Sequence, residues 1–292
     1  MIRALIGLIG ANIMQSLSPA LHEDAFAAAG IVGHYHLMDV EVLKGRRLPD
    51  LLQAVRTAGF LGTNVTHPFK EAVLPLLDEV SLEAAQIGAV NTVAIGPDGR
   101  TTGYNTDRVG FRRTFVETLG QDAVAGEAVV LLGAGGAGRA VAFALMDLGA
   151  ATLLVHDKDH ARATALCADL IVRFGAERCR VAIDPAAALA QVAGVINATP
   201  IGMLGYPGTP VAAELIEPSH WVADVIYTPL ATTLIEAARQ KGCRTMTGAG
   251  MCVHQAAETF RLFTGIAPDV ARMHTVFDTA CAKRAATLAA VA

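Results

Sequence analysis

The sequence predicts an α/β protein of two domains, the second built on a doubly wound parallel sheet. Three observations carry this. Short apolar runs alternate with helical patterns along most of the chain. A glycine-rich segment, Gly133-Ala-Gly135-Gly136-Ala-Gly138, falls directly between one such run and one such pattern. The length of 292 residues is about two domains at roughly 150 residues each. With 53% hydrophobic and 17% charged residues, the chain has the material for well-buried elements and not for disorder. Its formal net charge of −4 lacks the basic footprint of a protein that binds nucleic acid or an anionic membrane surface.

In the first part, apolar runs at 4–9, 35–40 and 62–65 read as strands, and 19–29 and 48–58 as helices. The Asp98-Gly99 turn signal between 91–95 and 101–104 predicts a β-hairpin. A helix over 109–119 follows and stops at Gly120, where a glycine suits the left-handed position after a helix. From Ala128 the rhythm tightens, with strands at 128–132, 152–156, 180–183, 194–198, 221–226 and 244–247 and helices at 139–148, 161–174 and 232–241. Continuous apolar strands separated by helices have both faces covered, which is the condition of a parallel sheet. Beyond Gly250 the pattern is helical, and periodicity alone does not assign that tail to either domain.

The uncharged stretch 185–213 is not a membrane span, because Pro200, Pro207 and Pro210 would leave backbone groups unsatisfied in lipid. The N-terminal MIRALIGLIGAN has no small-residue cleavage site before its polar continuation and reads as a buried first strand. Five cysteines without a C-x-x-C pair fit reduced thiols in a cytoplasmic protein. Nine histidines, His34 and His36 among them, come without an H-E-x-x-H or a closed Cys/His set, so no metal site is expected.

The glycine-rich segment has the strand–turn–helix context of a dinucleotide site. Gly133 permits the tight turn, Gly135 lets backbone amides approach a pyrophosphate, and Gly138 lets helix and strand pack closely. The diphosphate would sit on unsatisfied N–H groups at the helix start; the plain alternative is a glycine-rich turn without a ligand. Asp157 lies 24 residues beyond Gly133, where an acidic side chain accepts from the adenosine ribose hydroxyls. Its charge repels a 2′-phosphate and favours NAD; Lys158 and Arg162 blunt that repulsion and leave NADP open. A helix N-cap is a second, compatible use of Asp157.

Four polar clusters stand in the first domain: Ser16-Leu-Ser18-Pro19, Asn64-Val-Thr66-His-Pro68-Phe-Lys70, Gly88-Ala-Val-Asn91-Thr92 and Tyr104-Asn105-Thr106-Asp107. Each alone has an ordinary explanation: a helix N-cap for Ser18, turns for Asn64 and Asn91, solvated charges for Lys70 and Asp107. Together, beside a dinucleotide fold, they suit a small polyhydroxylated or carboxylated ligand. Of the 28 glycines, Gly62, Gly88, Gly103 and Gly248 are expected at turns around that pocket.

Seven motifs in order resemble the shikimate dehydrogenase family over nearly the whole chain: Ser16-x-Ser18-Pro19, Asn64-Val-Thr66-x-Pro68-x-Lys70, Gly88-Ala-x-Asn91-Thr92, Asn105-Thr106-Asp107-x-x-Gly110, Gly133-Ala-Gly135-Gly136, Asn197-Ala-Thr199-Pro200 and Gly250-Met251-x-x-x-Gln255-Ala256. The stretches 17–23, 66–80 and 221–229 are most similar to the NAD-using quinate/shikimate dehydrogenase branch. Where the biosynthetic NADP branch carries an Asn-Arg-Thr type motif, this chain reads His156-Asp157-Lys158, a departure that speaks for NAD.

The resemblance implies a substrate-binding and catalytic domain over 1–107 and 253–292, the C-terminal helices returning to it, and a Rossmann-type NAD-binding domain over 108–252. It implies hydride transfer between NAD and the C3 ring alcohol of shikimate or quinate; a cytoplasmic protein, monomer or homodimer, is expected. Lys70 and Asp107 would be the catalytic pair. Loss of hydride requires the hydroxyl proton to leave to a base within hydrogen-bond reach. A carboxylate beside an amine favours the ammonium form, so Asp107 is assigned mainly to orienting the hydroxyl and Lys70, and the carrier of the proton is open. Ser16, Ser18 and Tyr227 would hold the substrate carboxylate, and Thr66, Asn91 and Gln255 the ring hydroxyls. Gly133, Ala134, Gly135, Gly136, Ala137, Asp157 and Arg162 would hold the dinucleotide. Thr199 and Met203 would line its nicotinamide side, with Val225 and Gly248 approaching by backbone; core packing is an equal explanation of Met203 and Val225. An NADP-dependent biosynthetic shikimate dehydrogenase, a dehydrogenase of amino-substituted analogues and a ligand sensor on the same fold are the competing readings.

Overall fold

The structure, a computed structural model, describes residues 3–291. Its chain divides into two compact units, one from the stretch up to Thr106 together with that from Val253 onward, the other from Asp107 to Cys252.

The first unit begins with β1 (Arg3–Gly10), α1 (Ser18–Ala28), β2 (Val32–Asp39), α2 (Leu48–Thr57) and β3 (Gly62–Val65), and continues through β4 (Glu79–Val80), α3 (Leu82–Ile87), β5 (Thr92–Ile95) and β6 (Thr101–Tyr104). Its sheet runs in the order β2-β1-β3-β5-β6-β4. Strand β1 is parallel to both β2 and β3, and β5 and β6 form the expected antiparallel hairpin. Alternate residues of a strand face opposite sides. Ile6 and Leu8 therefore pack with Phe26 of α1 on one face, while Ile9 packs with Leu51, Leu52 and Val55 of α2 on the other. Gly62 and Gly103 lie inside strands, not at turns: a Cβ on Gly62 would overlap the Phe263 ring, and one on Gly103 would come within 2.5 Å of Leu77. Their missing side chains admit neighbours to the sheet. Gly88, in contrast, does end a helix, with φ +71°.

The second unit contains α4 (Asp107–Thr118), β7 (Ala128–Leu132), α5 (Gly136–Asp147), β8 (Thr152–His156), α6 (His160–Phe174), β9 (Cys179–Val181), α7 (Pro185–Leu189), β10 (Gly194–Asn197), β11 (Trp221–Asp224), α8 (Thr233–Gln240) and β12 (Arg244–Met246). All pairings are parallel in the order β12-β11-β10-β7-β8-β9. The winding reverses between β7 and β10, and the crevice outside the carboxyl ends of such strands is where ligands bind in doubly wound sheets.

Three of the boundaries that differ from expectation have evident local causes. Helix α5 starts at Gly136, three residues early, because the Gly135 carbonyl already accepts the Arg139 amide at 2.8 Å. Strand β11 stops at Asp224, whose carboxylate takes the Ile226 amide at 3.0 Å and turns the chain out of the ladder. Gly120 has φ +81° but ψ 150°, so it leads into a 3-10 turn instead of closing α4 in the left-handed helical conformation.

Helix α9 (Gly248–Thr264) carries the chain from the second unit back into the first, and α10 (Val270–Val291) packs on α1, where Arg272 grips Asp24 at 2.6 and 2.8 Å. Among the described residues no helix is long and apolar enough to cross a membrane.

His22 of α1 is 1% exposed and stacks on Tyr35 at 4.9 Å between ring centroids. Burial pushes its imidazole down to about 3 from the ordinary 6.5. The folded chain thus refuses a proton that the unfolded chain accepts, so stability is full above pH 6.5 and is lost as pH falls from there toward about 3. Urea unfolding between pH 7 and pH 5 will show His22→Leu losing a part of the wild-type slope worth about 1.4 kcal/mol per pH unit at the lower end.

Candidate active site

The glycine-rich turn joins β7 to α5. Gly133 has φ +100°, and a Cβ there would stand 2.8 Å from the Ala198 carbonyl; a Cβ on Gly138 would overlap the Gly133 carbonyl oxygen. Strand, helix and the end of β10 are thereby drawn together. Gly135 is the N-cap of α5 and offers no capping side chain; a Cβ on it would meet only the Arg162 guanidinium, at 3.9 Å. Open space before a helix start, with a guanidinium beside it, fits the diphosphate of a dinucleotide. Asp157 binds this turn directly: its Oδ2 accepts the Ala134 amide at 2.7 Å and its Oδ1 the Asp159 amide at 2.9 Å. Each carboxylate oxygen has a further lone pair for a ribose hydroxyl. The N-cap of α6 is Asp159, not Asp157.

At the end of β10, Asn197 is a hub. Its Nδ2 donates to the Ile201 carbonyl at 3.0 Å and lies 3.2 Å from both Asp224 oxygens, while its Oδ1 accepts from the Thr199 amide and hydroxyl at 3.0 and 2.7 Å. Thr232 donates to Asp224 at 2.7 Å. Burial raises the Asp224 carboxyl to about 6, although the Ile226, Thr232 and Asn197 donors pull it down. Asp224 was hidden in the sequence as the polar end of an apolar strand. Met203, in the loop held by Asn197, is 37% exposed, which removes core packing as its explanation. Gly248 lies against Val225, where a Cβ would overlap the Val225 carbonyl, and its amide donates to Ile226 at 3.1 Å.

In the first unit, the Ser16 hydroxyl lies 3.2 Å from that of Ser18 and accepts the Ser18 amide at 3.2 Å. The N-cap of α1 is Leu17, so the Ser18 hydroxyl is not occupied in capping. The preceding loop hangs on Asp39, a buried carboxylate that accepts the amides of Asn12, Ile13 and Glu41 at 3.1, 2.7 and 3.0 Å. Thr66 follows β3, with its carbonyl accepting the Phe69 amide at 2.8 Å, and the Lys70 carbonyl accepts the Val90 amide at 2.8 Å. Half-buried Lys70 is thus tied to the segment that carries Asn91.

Asn91 and Asn64 do not serve as turn residues. Asn91 is 4% exposed; its Oδ1 accepts the Thr106 amide at 2.8 Å, and its Nδ2 faces Thr106 Oγ1 at 3.0 Å and Gln255 Oε1 at 3.4 Å. Asp107 opens α4 and is 2% exposed, so it is no solvated charge, and Tyr227 follows β11 half-buried. Among the described residues no group of three or more His, Cys, Asp or Glu is placed to hold a metal ion.

A parallel sheet with a glycine-rich turn at its switch point, in one chain with a mixed-sheet unit of buried hydroxyls and amides, is the architecture of a two-domain nucleotide-dependent dehydrogenase. Family models described as the shikimate dehydrogenase substrate binding domain and the shikimate 5′-dehydrogenase C-terminal domain match residues 8–93 and 248–276. A quinate/shikimate dehydrogenase (NAD(+)) of Corynebacterium efficiens is 49% identical over 278 residues, 94% of this chain and 97% of that one. A shikimate dehydrogenase (NADP(+)) of Streptomyces avermitilis is 46% identical over 273 residues, 92% and 93% of the two chains. The solved quinate dehydrogenase from Corynebacterium glutamicum in complex with NAD superposes with a TM-score of 0.88 at 44% identity, over 96% of this chain and 100% of that one. The chain belongs to the shikimate dehydrogenase family.

Removing the Asp224 carboxylate strands the Ile226 amide, the Thr232 hydroxyl and one N–H of Asn197 in the interior. Asp224→Ala will cost about 2–4 kcal/mol, read as a lowered Tm and urea midpoint.

Proposed function

We propose that this protein catalyses reversible hydride transfer between NAD and the C3 ring alcohol of shikimate or quinate, giving 3-dehydroshikimate or 3-dehydroquinate. The observation that carries the cofactor choice is Asp157: its carboxylate is pinned by the Ala134 amide at the glycine-rich turn, where an anion repels a 2′-phosphate. The NAD(+) relative at 49% identity supports the same choice.

In this reading residues 108–252 hold the cofactor, and 1–107 with 253–292 hold the substrate. Ser16, Ser18 and Tyr227 grip the carboxylate with neutral donors, while Thr66, Asn91 and Gln255 fix the ring hydroxyls. NAD supplies the hydride acceptor when bound. The chain's own work is to move the proton: as the C3 hydride leaves with its electron pair, the hydroxyl proton passes to the Lys70–Asp107 pair, with Asp107 orienting the hydroxyl and the amine. Five buried cysteine thiols suit a reducing compartment, and a cytoplasmic monomer or homodimer is part of the proposal.

One observation favours the NADP reading, the Arg162 guanidinium beside Gly135. Steady-state kinetics with both acids and both cofactors separates the two: the proposal expects kcat/KM for NAD at least about 10-fold above that for NADP, a margin of about 1.4 kcal/mol. The reverse preference would refute the NAD assignment. Lys70→Ala is expected to lower kcat by about 100-fold or more with shikimate binding still measurable by calorimetry. Undiminished turnover would remove Lys70 from the chemistry, and binding without any turnover by the native protein would make it a ligand sensor.

A further inference from the structure

Asn91 and Gln255 sit at one end of a buried polar chain whose direction the backbone dictates. The Thr106 amide only donates, so the Asn91 atom 2.8 Å from it is Oδ1, and the N–H₂ end of Asn91 faces Gln255. By the same logic, the Asn64 atom 3.1 Å from the Asn91 carbonyl is Nδ2, which leaves Asn64 Oδ1 to accept from the Tyr35 hydroxyl at 2.9 Å. The Thr92 hydroxyl accepts from Asn64 Nδ2 at 3.0 Å and donates to Asn91 Oδ1 at 3.0 Å. One turn of α9 beyond Gln255, the Thr259 hydroxyl lies 3.0 Å from that of Thr92, 3.3 Å from that of Thr106 and 3.3 Å from Asn64 Nδ2. Tyr35, Thr92 and Thr259 are 2%, 0% and 1% exposed, so water does not substitute for a missing partner.

We propose that Tyr35 and Thr259 are positioning residues for the substrate: through Asn64 and Thr92 they reinforce the orientation of Asn91 that the Thr106 amide sets, and through α9 they hold Gln255 beside it. The inference rests on the reading that Asn91 and Gln255 bind ring hydroxyls. A flipped Asn91 would set its N–H₂ against the Thr106 amide; in the orientation held, one N–H goes to Thr106 Oγ1 at 3.0 Å and the other to Gln255 Oε1 at 3.4 Å, the longer contact and the one a substrate oxygen able to accept would replace. Removing the Tyr35 hydroxyl leaves Asn64 Oδ1 without its donor, so that Asn64 is held from its Nδ2 side alone. Removing that of Thr259 loosens the register between Gln255 and Asn91.

The test compares Tyr35→Phe, Thr259→Val, Thr259→Ser and Asn91→Ala by steady-state kinetics on the acid the native protein turns over, with Tm recorded for each. Tyr35→Phe and Thr259→Val are expected to raise the KM for the acid by about 5- to 30-fold, the loss of a hydrogen bond's worth of positioning, while leaving the KM for NAD within about twofold. Thr259→Ser restores the native KM. Lowered Tm with all kinetic constants unchanged would overturn the proposal, as would failure of Thr259→Ser to rescue. If Asn91→Ala raises the KM for the acid and the two positioning variants do not, the proposal alone falls. If Asn91→Ala also leaves it unchanged, the reading of the site falls with it.

Discussion

A carboxamide taken out of water must have its oxygen faced by donors and its nitrogen by acceptors, and this requirement at Asn91 governs the first unit. Its partners come from the chain after β6 and from α9, which places residues distant in sequence around one side group. Asn197 imposes the same requirement on the second unit, where Asp224, Thr199 and Ile201 converge on it. In low-dielectric surroundings a half-satisfied network is costlier than an apolar core, so each asparagine fixes the loops around it as firmly as hydrophobic packing fixes the strands. Asn91, Thr199 and Met203, proposed to meet substrate or nicotinamide, belong to those loops.

The two sheets supply the rigid backing. In the parallel sheet both faces are covered, and Val130, Leu132, Val195 and Val222 join one cluster with Leu234 and Ile235 of α8. Glycine sets how closely the parts approach: Gly138 brings the start of α5 onto the end of β7, and Gly248 brings the start of α9 onto Val225. These contacts are made by backbone, whose position is set by the ladders beneath it. A carboxylate completes each loop from below, Asp157 at the glycine-rich turn and Asp39 under the segment leading to Ser16.

Every strand but the two-residue β4, and the glycine-rich turn, were legible because each rests on a local pattern: apolar runs between helices, and glycines where a turn, an approach and a packing contact need them. Seven motifs extended that to the family. Two misreadings arise where a side chain acts on backbone nearby. Asp224 ends β11 early by taking the Ile226 amide, and Asp159 takes the capping role that Asp157 leaves for the Ala134 amide. Gly62 and Gly103 look like turn glycines in sequence and are strand glycines, because the bulk they admit, Phe263 and Leu77, comes from elsewhere in the chain. Tyr35 and Thr259 were illegible for the same reason. Their partner Asn64 is 29 residues away from one and 195 from the other, and nothing in either local segment separates a core hydroxyl from a network hydroxyl.

In the proposed reaction a hydride passes directly between the substrate ring and the cofactor, and only the hydroxyl proton passes through protein side chains. Shikimate deuterated at C3, incubated with NAD and the purified protein in ordinary water, tests it by mass spectrometry of the reduced cofactor. Direct transfer places the deuterium in the NADH formed, with the label retained in full. Reduced cofactor without label, or label found in the solvent, would contradict it.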